Sequence, residues 1–168
     1  AAEMLARLNM LLFEDLDSSD MFVSAQLAWL DHATGQITIA SAGHCPALIM
    51  DRTGGHLIEA CSEGPPLGIT RDAVFDEMRP DPARLWHLVM LTDGSTEARN
   101  SQGEMIGTEG IVSCMTRFAQ HGGDAPALQS VLLNAIDSHV QDAPAADDIT
   151  LVVRSRGADP ETLKPPPP

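Results

Sequence analysis

Leu85-Trp86-His87-Leu88-Val89-Met90-Leu91-Thr92-Asp93-Gly94 is the stretch whose reading decides the fold of this chain. Leu85 to Leu91 is nearly all apolar, which predicts a strand buried on both faces. A charged residue directly after such a strand sits at the rim of its sheet. Gly94 beside it carries no side chain and lets a ligand approach the backbone closely. A second acidic pair, Asp147-Asp148, stands immediately before Ile149-Thr150-Leu151-Val152-Val153, which reads as the last strand. If the two strands are antiparallel neighbours, the end of one meets the start of the other. Asp93 and Asp147 then converge on one edge of the sheet. Converging carboxylates repel unless a cation joins them. All-oxygen ligation points to Mg2+ or Mn2+ rather than zinc. Asp-Gly is also a common turn dipeptide, and two Asp before a strand also describe a solvated loop end.

Upstream, the periodicity is that of hairpins. Val23, Ala25, Leu27 and Trp29 alternate with Ser24, Gln26 and Ala28. After the turn Asp31 to Gly35, alternation resumes at Gln36 to Ala40, which closes a first hairpin. Pro46 to Met50, the turn Asp51 to Gly55, and His56 to Ala60 make a second. Cys61 to Thr70 holds two Pro and two Gly and reads as a loop. Val74, Asp76 and Met78 alternate weakly with Phe75 and Glu77. At the start, Met4, Leu5, Leu8, Leu11 and Leu12 recur at helical spacing. A helix that opens at residue 1 without a cap predicts a chain cut from something longer, or a processed product.

Downstream of Gly94 the period changes. Thr108 is placed to cap a helix in which Ile111, Met115 and Phe118 share a face. Asp124 and Pro126 start another, with Leu128, Val131, Leu132, Ala135 and Ile136 inward. Asp142 to Ala146 reads as a loop. Arg154 onward decays into a polar tail ending in Pro165 to Pro168, a linker or disordered segment. Strands joined by hairpins, then two helices, then a strand, make an α+β pattern with an antiparallel sheet. The domain is expected over residues 1–155 and the tail over 156–168.

Composition narrows the partners. The 168 residues suit one domain, and a 43% hydrophobic content excludes a disordered chain. Twenty-four acidic against ten basic residues give a formal charge of −14, which repels nucleic acid and anionic lipid. No apolar run approaches a membrane span. No basic segment followed by an apolar stretch opens the chain, so no secretory leader is expected. Cys45, Cys61 and Cys114 lack CxxC spacing, which argues against a disulfide framework or zinc site. Three scattered thiols fit the reducing cytoplasm, each as a small core hydrophobe.

Four segments together resemble a known family. Thr92-Asp93-Gly94-Ser95-Thr96-Glu97-Ala98 is similar to the "TDG-x-x-EA" segment of SpoIIE-type serine/threonine phosphatases, the bacterial branch of the metal-dependent (type 2C-like) protein phosphatases. Ser41-Ala42-Gly43-His44-Cys45-Pro46-Ala47-Leu48 resembles its "AGH-x-P-x-L" turn, and Gly64-Pro65-Pro66-Leu67-Gly68 its "G-x-PLG" loop. Asp147-Asp148-Ile149-Thr150 resembles its closing "DD-[IM]-T". Asn9 fits the "LN-x-x-L" helix end that precedes the family's "F-V-T" strand, here Phe22-Val23-Ser24.

The resemblance implies two packed antiparallel sheets flanked by helices, an α-β-β-α sandwich. It implies hydrolysis of phosphoserine or phosphothreonine on a regulatory protein such as an anti-anti-sigma factor, in bacterial signal transduction. Two Mn2+ or Mg2+ ions would activate water for in-line attack on phosphorus. Carried over by motif, Asp93 and Asp147 match metal-ligand positions with a catalytic role, and Asp148 a neighbour that is less often a direct ligand. An upstream receiver or sensor domain is a further implication. The family's upstream "D-x-x-GHG" or "D-x-x-GKG" segment has no counterpart in these residues, so the sandwich is expected with its N-terminal strands missing and the metal site half complete. The alternative is a degenerate module that binds a regulatory protein without hydrolysis. Of the lesser candidates, His44 reads as a turn-fixing residue. Glu97 reads equally as a tuner of the site or a carboxylate at a helix start, and Arg99 as surface.

Overall fold

The structure, a computed structural model, describes residues 1–61, 63–141, 143 and 147–156. Helix α1 (Ala2–Ser18) precedes β1 (Ala25–Leu30) and β2 (Ile37–Ala42), and β3 (Ala47–Met50) and β4 (Leu57–Ala60) follow. Then come β5 (Glu77–Met78), β6 (His87–Leu91), the short α2 (Asp93–Thr96), α3 (Gly107–His121), α4 (Ala125–Val140) and β7 (Leu151–Ser155). Two sheets form, ordered β1-β2-β5 and β4-β3-β6-β7, and every strand pair within them is antiparallel.

Side-chain alternation along the strands builds three layers of core. On β2, Ile37 and Ile39 face the second sheet and pack with Ala47, Ile49, Ala60 and Leu88 between the sheets. Ala40 and Ala42 point the other way, onto Leu5 of α1, Leu67 and Phe75. On the far side, Leu48, Met50, Val89 and Leu91 meet Ile111, Met115 and Phe118 of α3 and Leu128, Leu132 and Ile136 of α4. The architecture is therefore α-β-β-α, as the sequence leads one to expect.

Both hairpins form, and each turn is held by an aspartate. Asp31 accepts from Ala33 N–H and the Thr34 hydroxyl, and Asp51 from the N–H groups of Thr53 and Gly55. Asp124 caps α4 by accepting from Ala127 N–H at 3.0 Å, with Pro126 in the first turn.

Several local expectations change. Thr108 does not cap α3, which begins one residue earlier behind Ile106 with no side-chain cap. The weak alternation of Val74 to Met78 yields only the two residues of β5, because Phe75 turns into the α1-side core. The apolar run at Leu85 becomes strand only from His87, since Asp81 and Pro82 hold Pro82–Arg84 in a 3-10 turn. On α1 the buried stripe runs through Leu5 and Asn9, whereas Met4, Leu8 and Leu11 are exposed. A polar residue sits in that stripe because it is fully bonded. Asn9 donates to the carbonyls of Thr70 and Arg71 and accepts from Gly68 N–H, each at 2.9 Å. Cys114 is buried, but Cys61 is exposed and so is no core hydrophobe. The tail expected from Arg154 starts later, since Arg154 and Ser155 belong to β7, whose first strand residue is Leu151 rather than Ile149. Residues 157–168 and the expected loop over 142–146, save residue 143, lie outside the described residues.

Candidate active site

β6 and β7 are antiparallel neighbours in register from His87↔Ser155 to Leu91↔Leu151. The end of β6 therefore meets the approach to β7. Beyond the ladder, Thr92 N–H donates to the Thr150 carbonyl at 3.1 Å. The Thr92 hydroxyl donates to the Asp148 carbonyl at 3.2 Å and accepts from Thr150 N–H at 3.0 Å. The chain then turns into α2, with Asp93 as its first residue.

Gly94 has a steric reason here. A Cβ on it would stand 2.4 Å from the Asp148 carbonyl oxygen and 3.4 Å from the Asp147 Cβ. The backbone at Gly94 and the Asp147-Asp148 peptide thus lie against each other, and Asp93 and Asp147 flank that contact. All three carboxylate residues, Asp93, Asp147 and Asp148, are exposed at this rim.

The carboxylates are oriented locally. Asp93 Oδ1 accepts from Gly94 N–H at 3.0 Å, and Asp147 Oδ1 from Asp148 N–H at 2.7 Å. Their second oxygens make no hydrogen bond among the described residues, and no cationic side chain there forms an ion pair with any of the three. Such a donor set is all oxygen, negatively charged and open to solvent, which fits a hard divalent cation. Among the described residues no group of three His, Cys, Asp or Glu gathers at metal-binding spacing.

Of the remaining motif segments, the Gly43–Leu48 turn reaches the end of β6 through Cys45. Cys45 donates its thiol to the Leu91 carbonyl at 2.7 Å. Burial, and then the negative charge of Asp93, push that thiol above its ordinary pKa and keep it protonated. Ser41 bonds both backbone groups of His44, and Ser24 reaches His44 Nδ1 at 3.0 Å, so this histidine holds a corner. Gly43 takes φ +63°, and a Cβ there would stand 2.5 Å from Pro66 Cγ, which locks the Gly43-His44 corner to the Gly64–Gly68 loop. Arg99 donates to the Gly103 carbonyl at 2.7 Å, within its own loop. Glu97 is exposed, and its N–H donates to the Asp93 carbonyl at 2.7 Å. Sequence reasoning missed the tie made by Thr92, although a hydroxyl residue between a buried strand and an acid was a usable signal. Cys45, expected as a core hydrophobe, is half-buried and packs against the α3–α4 side of the core while its thiol reaches the end of β6.

The α-β-β-α sandwich is the fold of solved bacterial phosphatase domains. The SiaA-PP2C domain of Pseudomonas aeruginosa superimposes with a TM-score of 0.77 at 17% identity, covering 93% of this chain and 61% of that one. The phosphatase domain of SpoIIE from Bacillus subtilis, presoaked with Mn, gives 0.57 at 16% identity, covering 79% and 56%. At that identity the likeness establishes the fold. The family described as stage II sporulation protein E (SpoIIE) matches residues 1–156, and the chain belongs to it. Among characterised relatives it is 28% identical over 136 residues to protein IcfG of Synechocystis, and 26% over 157 residues to the phosphoserine phosphatase RsbU of Bacillus subtilis. It spans 20% and 45% of those proteins' lengths. No helix among the described residues is long and apolar enough to cross a membrane.

Proposed function

We propose that this chain is part of a metal-dependent protein serine/threonine phosphatase domain that removes phosphate from phosphoserine or phosphothreonine on a regulatory protein of the anti-anti-sigma kind. The observation that carries the reading is the close approach of Gly94 to the Asp147-Asp148 peptide, which gathers acids from two distant segments at one rim. Family membership supports it. Asp93 and Asp147 would hold Mn2+ or Mg2+, with Asp148 as a subsidiary donor. When bound, such ions neutralise phosphoryl oxygens and lower the pKa of water to provide a nucleophile at neutral pH. Without a cation the rim repels phosphate, so the chain's own acids set a requirement for metal. Asp93 and Asp147 are exposed, so a protein-borne phosphate can reach them without a deep cleft. A receiver or sensor domain in the same polypeptide, and a cytoplasmic setting, complete the proposal.

A second reading has its own support. No cluster of three carboxylates occurs among the described residues. On that reading the scaffold grips a regulatory protein without hydrolysis. Phosphate release from a phosphoserine protein in Mn2+, with EDTA and Asp93→Asn controls, separates the two. Release abolished by both controls supports the phosphatase. Binding of the phosphoprotein without release, unaffected by EDTA, sinks it in favour of the second reading.

A further inference from the structure

We propose that Thr92 is a positioning residue that fixes the spacing of the Asp93 and Asp147 carboxylates, and through it the affinity of the rim for a divalent cation. The inference rests on the metal reading above and deepens it. Thr92 touches both arms of the site. Its carbonyl accepts from Ser95 N–H at 2.9 Å, which starts the turn that carries Asp93. Its N–H and its hydroxyl hold the other arm through three bonds, to the Thr150 carbonyl, the Thr150 N–H and the Asp148 carbonyl, at 3.0–3.2 Å.

The strand ladder alone does not set this spacing, because its last registered pair is Leu91↔Leu151. Past that pair, the Thr92 hydroxyl extends the zipper by acting as donor and acceptor at once. A threonine suits the task, since its β-branched side chain is stiff at χ1. The clamp also works against a force. Asp93, Asp147 and Asp148 form no ion pair among the described residues, so before a cation arrives their charges push the two segments apart. Gly94 completes the device by leaving no Cβ between the arms.

Thr92→Val keeps the shape and removes the hydroxyl, leaving Thr150 N–H and the Asp148 carbonyl without that partner. Thr92→Ser keeps the hydroxyl. Groups that orient metal ligands typically change affinity about 10–100-fold when removed. Mn2+ titration calorimetry on the full chain is therefore expected to show Thr92→Val binding at least ~10-fold weaker, with Thr92→Ser within ~2-fold of the native chain. Amide hydrogen exchange at Thr150 is measured in parallel and is expected to accelerate in Thr92→Val only. Native affinity in Thr92→Val, with exchange at Thr150 accelerated, overturns the proposal, because the clamp is then broken and the site unmoved. Loss in Thr92→Ser equal to that in Thr92→Val overturns it too. A native chain whose Mn2+ uptake is absent, or unchanged by Asp93→Asn, overturns the metal reading beneath it and is told apart by the native and Asp93→Asn titrations alone.

Discussion

At one end of the β6–β7 pair, Asp93, Asp147 and Asp148 stand exposed and are held by backbone groups and one threonine hydroxyl. At the other end, His87 is 1% exposed and side chains interlock around it. Its Nδ1 meets the Ser155 hydroxyl at 2.7 Å, and its ring packs edge-on against Phe118 with centroids 5.6 Å apart. Arg52 lies over Trp86 at 4.8 Å, and Trp86 exchanges backbone bonds with Met50 and Arg156. The same two strands thus end in a packed plug and in an open charged rim. The plug takes its shape from burial, so its polar groups must pair. The rim takes its shape from backbone contacts, so its acids are left available for a ligand.

Substitutions at the two ends should therefore differ in kind. The largest loss of stability is expected at the plug, where His87→Ala removes a buried ring and orphans Ser155, at about 2–4 kcal/mol by urea unfolding at pH 7.5. The same residue gives a pH signature. Burial holds the His87 imidazole below the ordinary histidine value. Below roughly pH 6.5 the unfolded chain then takes up a proton that the folded chain resists. The stability tied to a neutral His87 is full above that pH and is lost as the pH falls. Melting temperatures at pH 7.5 and 5.5 should converge more in His87→Ala than in the native chain, and equal slopes would falsify the assignment.

Next comes Gly94→Ala at the rim. Its Cβ has nowhere to go but into the Asp148 carbonyl, and overpacking of this kind costs about 1–3 kcal/mol. Chemical shift changes confined to residues 92–94 and 147–150 would sharpen the picture, and changes spread through the core would break it. Asp124→Ala, which uncaps α4 beside the plug, is expected to cost about 1 kcal/mol in the same unfolding assay. The smallest effect falls on the first acid of the rim. Asp93→Asn should leave stability within about 0.5 kcal/mol of the native chain, because the side chain is exposed and forms no ion pair there. A larger loss would make Asp93 a structural residue and weaken the contrast.

Strand alternation and turn chemistry made most of the fold legible. Along β1, Ala25 and Leu27 pack on the α1 side and Ala28 and Leu30 between the sheets, though Trp29 near its end is exposed. Asp31, Asp51 and Asp124 mark turns and a cap through bonds local to the chain. The convergence of the two acidic segments was legible as well, because a buried run followed by Asp has one place to end. What the sequence concealed depends on contacts between distant residues. Asn9 reads as polar surface until Gly68, Thr70 and Arg71 arrive to satisfy it. Met4, Leu8 and Leu11 look like one face with Leu5 until the helix turns its Asn9 stripe inward. Thr108 looks like a cap, yet α3 starts before it.

The bond between Thr92 and Thr150 spans 58 residues of chain, including the whole of α3 and α4. Closing so long a segment costs entropy that only completed packing of those helices repays. The acidic rim should consequently be among the last parts of the molecule to mature, well after the Asp31 and Asp51 hairpins. A nascent chain would present its folded-looking hairpins before its two acidic segments had met.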